Sequence, residues 1–204
     1  MGNITLLAII PHFVKPDKYH KDILTIMRLF VALNFSTRFR SALAELAGDL
    51  ARDACSGRPT GKENFHLTLA FLGEQADPQP AAEVLSQLSG PAFTLVSAGL
   101  GRFRQRQGEL WWLGLEQNDS LTRLQADLAA GLRQAGIAFD EKPFRPHLTL
   151  LRRAVFPPEL TPARWAARQG LRPMYERIDC LSLMLSRSLD GAPSYTELSR
   201  QNLF

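Results

Sequence analysis

The tetrapeptide His-Leu-Thr-Leu occurs twice, at residues 66–69 and 147–150, in a chain of 204 residues. With four His and ten Thr in the whole chain, chance repetition is a poor explanation. In an extended strand, residues i and i+2 share a face. His66 and Thr68 therefore point together, as do His147 and Thr149. Leu67, Leu69, Leu148 and Leu150 point to the other face, into a core. Each copy follows a helical pattern and a loop containing Pro or Gly. Such a duplication implies two similar lobes whose motif strands are brought face to face. Two copies this far apart do not make a solenoid.

The flanking sequence fits that arrangement. Residues 28–34 form a short apolar run that reads as a buried strand. Ser36 is a plausible N-cap for a helix to about Ala54, with Phe39, Leu43, Leu46 and Leu50 on one stripe. Residues 55–64 read as a loop, and a strand from His66 is expected to end at Gly73. Helices are expected over 80–88 and 120–135, and strands over 93–100, 109–115, 147–151, 178–187 and 195–198. A Pro- and Arg-rich connection follows residue 151. The order is strand, helix, strand, helix, several strands, helix and then strands.

Composition narrows the possibilities. Apolar residues make up 45% and charged residues 22%, the mix of an ordinary globular protein and not of a disordered or coiled-coil chain. The net charge is +4, and nineteen of the basic residues are Arg against five Lys. The guanidinium fork suits phosphate and stacks on bases, so the bias leans towards nucleic-acid chemistry, although a GC-rich genome produces the same bias. Cys55 and Cys180 are too few and too far apart for a disulfide framework or a Cys-based zinc site, and a reducing cytoplasm is expected. Residues 4–10 are apolar but too short to span a bilayer, and they lack the flanks of a signal peptide. Met1-Gly2 has Leu rather than Ser or Thr at position 6, which argues against a myristoyl anchor. No membrane association is expected. Residues 1–26 read as an N-terminal extension, or alternatively as an added strand, with the domain proper over 27–204.

The chemistry follows from the paired motifs. Two facing strands would place two imidazoles and two hydroxyls in one cleft. One neutral His can take a proton from attacking water while one protonated His donates to a leaving oxygen, both states being accessible near neutral pH. The Thr hydroxyls can donate to non-bridging phosphate oxygens as charge builds. This set suits phosphodiester hydrolysis and calls for no metal or cofactor. A zinc site is the weaker alternative, since His12, His20 and the two Cys show no ligand spacing. The residues alone do not say which His is acid and which is base.

With Arg28-Leu-Phe-Val-Ala-Leu33, Asn64-Phe-His-Leu-Thr-Leu-Ala-Phe-Leu-Gly73 and Pro143-Phe-Arg-Pro-His-Leu-Thr-Leu-Leu-Arg152, the sequence resembles the two-histidine (2H) phosphoesterases. Within them it is most similar to the RNA 2′,3′-cyclic phosphodiesterases, also called 2′-5′ RNA ligases. The resemblance runs from about Met27 to the C-terminus. It implies a bilobal α+β fold with two antiparallel sheets facing a central cleft and helices outside. It implies metal-free opening of a 2′,3′-cyclic phosphate to a 2′-phosphate, with His66 as proton donor, His147 as proton acceptor, and Thr68 and Thr149 binding the phosphate. Reverse, ATP-independent 2′-5′ ligation is implied as well. The expected partner is RNA with cyclic phosphate ends, tRNA halves among them, acted on by a monomer.

The resemblance also places the nucleobase near Phe71 and Arg152. Each lies five residues beyond a motif His, which is the wrong face of an ideal strand unless the strand ends or bulges, as Gly73 would allow. Arg102, Arg104 and Arg106 alternate and, with Arg153, are candidates to follow an RNA backbone; a solvated strand edge is the alternative. Of the adjacent Trp111 and Trp112, one must face the core and one must not. Two other functions stay open at this stage: a phosphodiesterase for small cyclic phosphates or 2′-5′ oligonucleotides, and a non-catalytic RNA-binding module.

Overall fold

The computed structural model describes residues 26–189 and 192–204. The reading of residues 1–26 as an extension falls, Ile26 apart, outside them. The first strand, β1 (Met27–Asn34), leads into helix α1 (Thr37–Asp53). Ser36 caps that helix by accepting a hydrogen bond from the Phe39 N–H at 3.2 Å. Then come β2 (Ser56–Pro59), a single 3-10 turn, β3 (His66–Gln75), α2 (Gln79–Gln87), β4 (Phe93–Gln105), β5 (Gly108–Leu115) and α3 (Asp119–Gln134). The chain closes with β6 (His147–Val155), α4 (Pro162–Gln169), β7 (Tyr175–Ile178), β8 (Cys180–Leu189) and β9 (Ala192–Asn202).

The strands form two antiparallel sheets. One has four strands in the order β3-β1-β8-β9, the other five in the order β2-β6-β5-β4-β7. The two motif strands thus belong to different sheets and approach each other across the cleft, the bilobal α+β arrangement expected. The helices lie crosswise. α1, which directly follows β1 in the chain, packs its Phe39, Leu43, Leu46 and Leu50 stripe on β6 of the other sheet. α3, with Leu121, Leu124, Leu128 and Leu132 buried, packs against β3 of the first sheet. Each lobe is therefore roofed from the other half of the sequence, and one continuous apolar cluster runs through both.

Several boundaries differ from expectation. β2 lies within residues 55–64, where a loop is expected. All four of its residues are exposed, so it carries no alternation to read, yet it pairs with β6 at the sheet edge. α4 sits in the Pro- and Arg-rich connection. It buries only Trp165, too little for a periodic stripe, and its signals are caps: the Thr161 hydroxyl at the start and left-handed Gly170 at the end. The single strand expected over 178–187 is two. The break at Asp179 moves the chain from the edge of one sheet, where β7 pairs β4, to the middle of the other, where β8 lies between β1 and β9. β3 continues through Gly73, whose φ is +69°, instead of ending there. Among the described residues no helix is long and apolar enough to cross a membrane.

Candidate active site

His66 is the first residue of β3 and His147 the first of β6. Each ring is held in the same way. His66 Nδ1 donates to the Asn64 carbonyl at 2.7 Å, and His147 Nδ1 donates to the Arg145 carbonyl at 2.7 Å. A carbonyl can only accept, so Nδ1 carries a proton in both and each Nε2 is the nitrogen left free for other partners, with a lone pair when the ring is neutral. His66 Nε2 lies 3.1 Å from Thr68 Oγ1. Leu67, Leu69, Leu148 and Leu150 are buried on the opposite face, as period-2 alternation requires.

Two aromatic rings flank each histidine from its own sheet. Phe30 lies 4.9 Å from the His66 ring and Tyr195 meets it edge-on at 5.0 Å. Phe103 meets His147 edge-on at 5.3 Å, with Trp112 at 6.1 Å. Of these, Trp112 belongs to the pair singled out in the sequence, whereas Phe30, Tyr195 and Phe103 are missed by sequence reasoning. β1 is apolar on both faces, so Phe30 looks like any core residue, and Tyr195 belongs to a strand whose pattern is mostly exposed. Burial is the main influence on His66 and pushes its pKa down from 6.5 to about 4. The hydrogen bond to Asn64 opposes this, while the charges of Arg152 and His147 add to it.

Both motif strands bulge at the same place. Across from the step between Val31 and Ala32, β3 skips from Ala70 to Thr68, leaving Leu69 as an extra residue. Across from Trp111 and Trp112, β6 skips from Leu151 to Thr149, leaving Leu150 extra. A bulge reverses the alternation beyond it. Leu69 and Ala70 are both buried, as are Leu150 and Leu151, and the side chains of Phe71 and Arg152 emerge on the cleft side. The offset of five thus reaches the cleft through a bulge three residues after each His, not through Gly73. Phe71 is 51% exposed, too much for a core residue.

His66, Thr68, His147, Thr149, Phe71 and Arg152 all line one cleft of about 650 Å³, joined by Arg58, Arg153 and Tyr195, with no Asp or Glu among its lining residues. A second hollow, of about 710 Å³, lies between the start of α1 and β7 and has no histidine. Of the arginines named as candidates to follow an RNA backbone, Arg102 is paired to Glu109 at 3.0 Å, Arg104 is exposed on β4, Arg106 is exposed in the turn after the strand, and Arg153 lines the cleft. Trp111 is fully buried, donating to Glu109 at 2.9 Å, whereas Trp112 lies on the cleft side over Gly101, where a Cβ would come within 2.2 Å of the indole. Among the described residues no group of three or more His, Cys, Asp or Glu is placed to hold a metal; His12 and His20 lie outside them.

A family model, the 2′-5′ RNA ligase superfamily, matches residues 25–188. The RNA 2′,3′-cyclic phosphodiesterase of Thermotoga maritima is 32% identical over 137 residues, covering 64% of this chain and 72% of that protein. Its Escherichia coli namesake is 34% identical over 131 residues, covering 62% and 72%. Among solved structures, E. coli LigT complexed with 3′-AMP superposes with a TM-score of 0.71 at 27% identity, covering 87% of this chain and 98% of that one.

Proposed function

Because the chain belongs to the 2′-5′ RNA ligase superfamily, we propose that its cleft is the active site of an RNA 2′,3′-cyclic phosphodiesterase. The observation that carries this reading is the matched pair of Nε2 atoms. Each imidazole is locked by a carbonyl two residues upstream, and each is followed by a Thr on the same face of one cleft. Binding alone has no use for two imidazoles held in this manner, whereas in-line displacement at phosphorus needs one on each side.

The cyclic phosphate sits between the motifs, with the Thr68 and Thr149 hydroxyls donating to its non-bridging oxygens. His147 Nε2 takes a proton from the attacking water. The new P–O bond forms as the bond from phosphorus to the ribose 3′ oxygen breaks, and His66 Nε2–H protonates that oxygen. The products are a 2′-phosphate and a free 3′-hydroxyl. Each proton transfer contributes roughly 10²–10⁴-fold. The reaction uses no metal or cofactor. Run in reverse with an RNA 5′-hydroxyl in place of water, it is 2′-5′ ligation. Phe71 and Arg152 flank the terminal base, one by ring stacking and one by its guanidinium plane. Residues of one chain, all within 27–204, line the whole proposed site, which supports an enzyme working as a monomer. Tails of RNA such as tRNA halves are suitable substrates, and the unpaired Cys55 and Cys180 suit a cytoplasmic setting.

The low proton affinity of His66 favours a second assignment of roles. A ring whose pKa is near 4 is neutral at pH 7 and is a ready base, whereas to act as the acid it must recover its proton from the field of the bound phosphate. Incubating the protein in EDTA with a short RNA ending in a 2′,3′-cyclic phosphate, and mapping the product end, tests the reaction and identifies the oxygen that leaves: a 2′-phosphate means the 3′ oxygen, a 3′-phosphate the 2′ oxygen. The roles are separated by a substrate with sulfur in place of the leaving oxygen, which needs no proton donor and should restore turnover to the variant that lacks the acid, His66→Ala in the first assignment and His147→Ala in the second. No turnover, with RNA still bound, contradicts the enzyme reading.

A further inference from the structure

Beside Arg152, placed above at the terminal base, the cleft has two arginines, Arg58 and Arg153, to which the proposed reaction gives no part. Arg58 on β2 is the direct cross-strand partner of Arg152 on β6. Like charges placed opposite each other destabilise a sheet. Arg153, the next residue, has φ +52°, a left-handed conformation that a non-glycine residue adopts at some expense, and it does so inside a strand. In a regular strand Arg152 and Arg153 would point to opposite faces. Here both line the cleft beside Arg58.

The neighbouring strands are shaped to hold this kink. β6 is irregular against β2 on one side and against β5 on the other at the same point. Gly108 of β5 passes so close that a Cβ there would lie 2.9 Å from the carbonyl carbon of Arg153. Gly57 of β2 sits with its would-be Cβ 3.0 Å from Leu151. Among the described residues none of the three arginines is in an ion pair, and no carboxylate lines the cleft. Repulsion and backbone strain concentrated on one cleft wall, with no internal anion to offset them, fit an anion brought by the ligand.

We infer that Arg58 and Arg153, with Arg152 beside them, form a subsite for the phosphodiester immediately 5′ of the cyclic phosphate. The inference rests on the cyclic phosphodiesterase reading and adds a substrate class: the enzyme is built for an RNA end with at least one internal linkage, and it discriminates against free nucleoside 2′,3′-cyclic phosphates. Guanidinium forks match phosphate oxygens in pairs, which makes arginine the suitable residue here.

Three substrates test this: a nucleoside 2′,3′-cyclic phosphate, the dinucleotide with the same 3′-terminal cyclic phosphate, and that dinucleotide with an uncharged methylphosphonate as its internal linkage. The wild-type protein is expected to favour the charged dinucleotide over the mononucleotide by about tenfold in kcat/KM, the scale of one charge-assisted phosphate contact. The methylphosphonate loses most of that gain while keeping both bases. Arg58→Ala, and Arg153→Gly, whose glycine suits the left-handed backbone, collapse the ratio between the two dinucleotides. A methylphosphonate turned over as well as the phosphodiester overturns the inference, and so does a variant that lowers all three substrates equally. If the wild type turns over none of the three, the cyclic phosphodiesterase reading falls and takes the inference with it. Turnover without discrimination removes only the inference.

Discussion

The His66 half and the His147 half carry the same tetrapeptide on strands of different standing. β3 is the edge of its sheet, while β6 lies inside its own, between β2 and β5. The backbone solution is shared: a histidine opening the strand, Nδ1 tied to the carbonyl two residues earlier, a bulge three residues later, and a cleft-facing side chain five residues later. The surroundings are not. His66 lies between Phe30 and Tyr195, His147 beside Phe103 and Trp112, and burial lowers the proton affinity of His66. The position five residues on is an aromatic in one half and a cation in the other. One local design thus supplies two similarly held nitrogens in different surroundings, and surroundings are what assign acid and base roles to such a pair.

Removing either nitrogen is the largest test of the pairing. His66→Ala and His147→Ala should each lower kcat by about 10²–10⁴-fold, the usual contribution of a general acid or base. Circular dichroism should show both variants folded. If one histidine proves dispensable, the halves are not partners. The threonines come next. Thr68→Val and Thr149→Val each remove a donor to the developing charge and should lower kcat by about 10²-fold. Steady-state kinetics should show losses of similar size if the two motifs hold the phosphate symmetrically.

The burial of His66 has its own signature. His66 is depressed from 6.5 to about 4 on folding, so between those values the unfolded chain binds the extra proton. Stability therefore rises with pH through this window. Acidification from pH 7 to pH 4 should remove up to about 3 kcal/mol on account of His66 alone. Denaturant titrations across that range should show the loss in the wild type and not in His66→Gln. Phe30→Ala opens the ring to water and should return the His66 titration towards 6.5, as read from its imidazole proton resonance. An unchanged resonance would mean that the aromatic wall is not what lowers it. The smallest effects belong to the base contacts. Phe71→Ala and Arg152→Ala should raise KM by about tenfold, consistent with loss of one stacking surface, with kcat less affected.

What could be read in advance divides along physical lines. The motif strands, their core-facing leucines and the helical stripes of α1 and α3 were legible because burial imposes a period on them. β2 and α4 were not, for one is wholly exposed and the other buries a single Trp165. The sheet change at Asp179 was missed because β7, Tyr-Glu-Arg-Ile, is too short and too polar to read as a strand of its own ahead of the apolar run that follows Asp179. In the site, His66, Thr68, His147 and Thr149 were visible from their repetition. Phe71 and Arg152 could be named but not placed, since a bulge at Leu69 or Leu150 is a property of strand pairing and not of composition. The alternating arginines of β4 differ in setting: Glu109 neutralises Arg102 across the hairpin, and the turn takes Arg106. Arg153 could be named as a backbone candidate but not placed, because it lies at a kink, and Arg58, at an exposed strand edge, gave no periodic signal at all.

The pH dependence of kcat/KM on a short RNA ending in a 2′,3′-cyclic phosphate, measured for the wild type and for both histidine variants, is the most direct measurement of the central claim. For the wild type the account predicts a bell-shaped profile that requires both histidines. Each variant should lose one limb: the alkaline limb from His66→Ala, where the proton donor is gone, and the acidic limb from His147→Ala, where the proton acceptor is gone; the reverse pattern exchanges the two roles. A bell that survives intact in either variant would contradict a mechanism shared between the two halves.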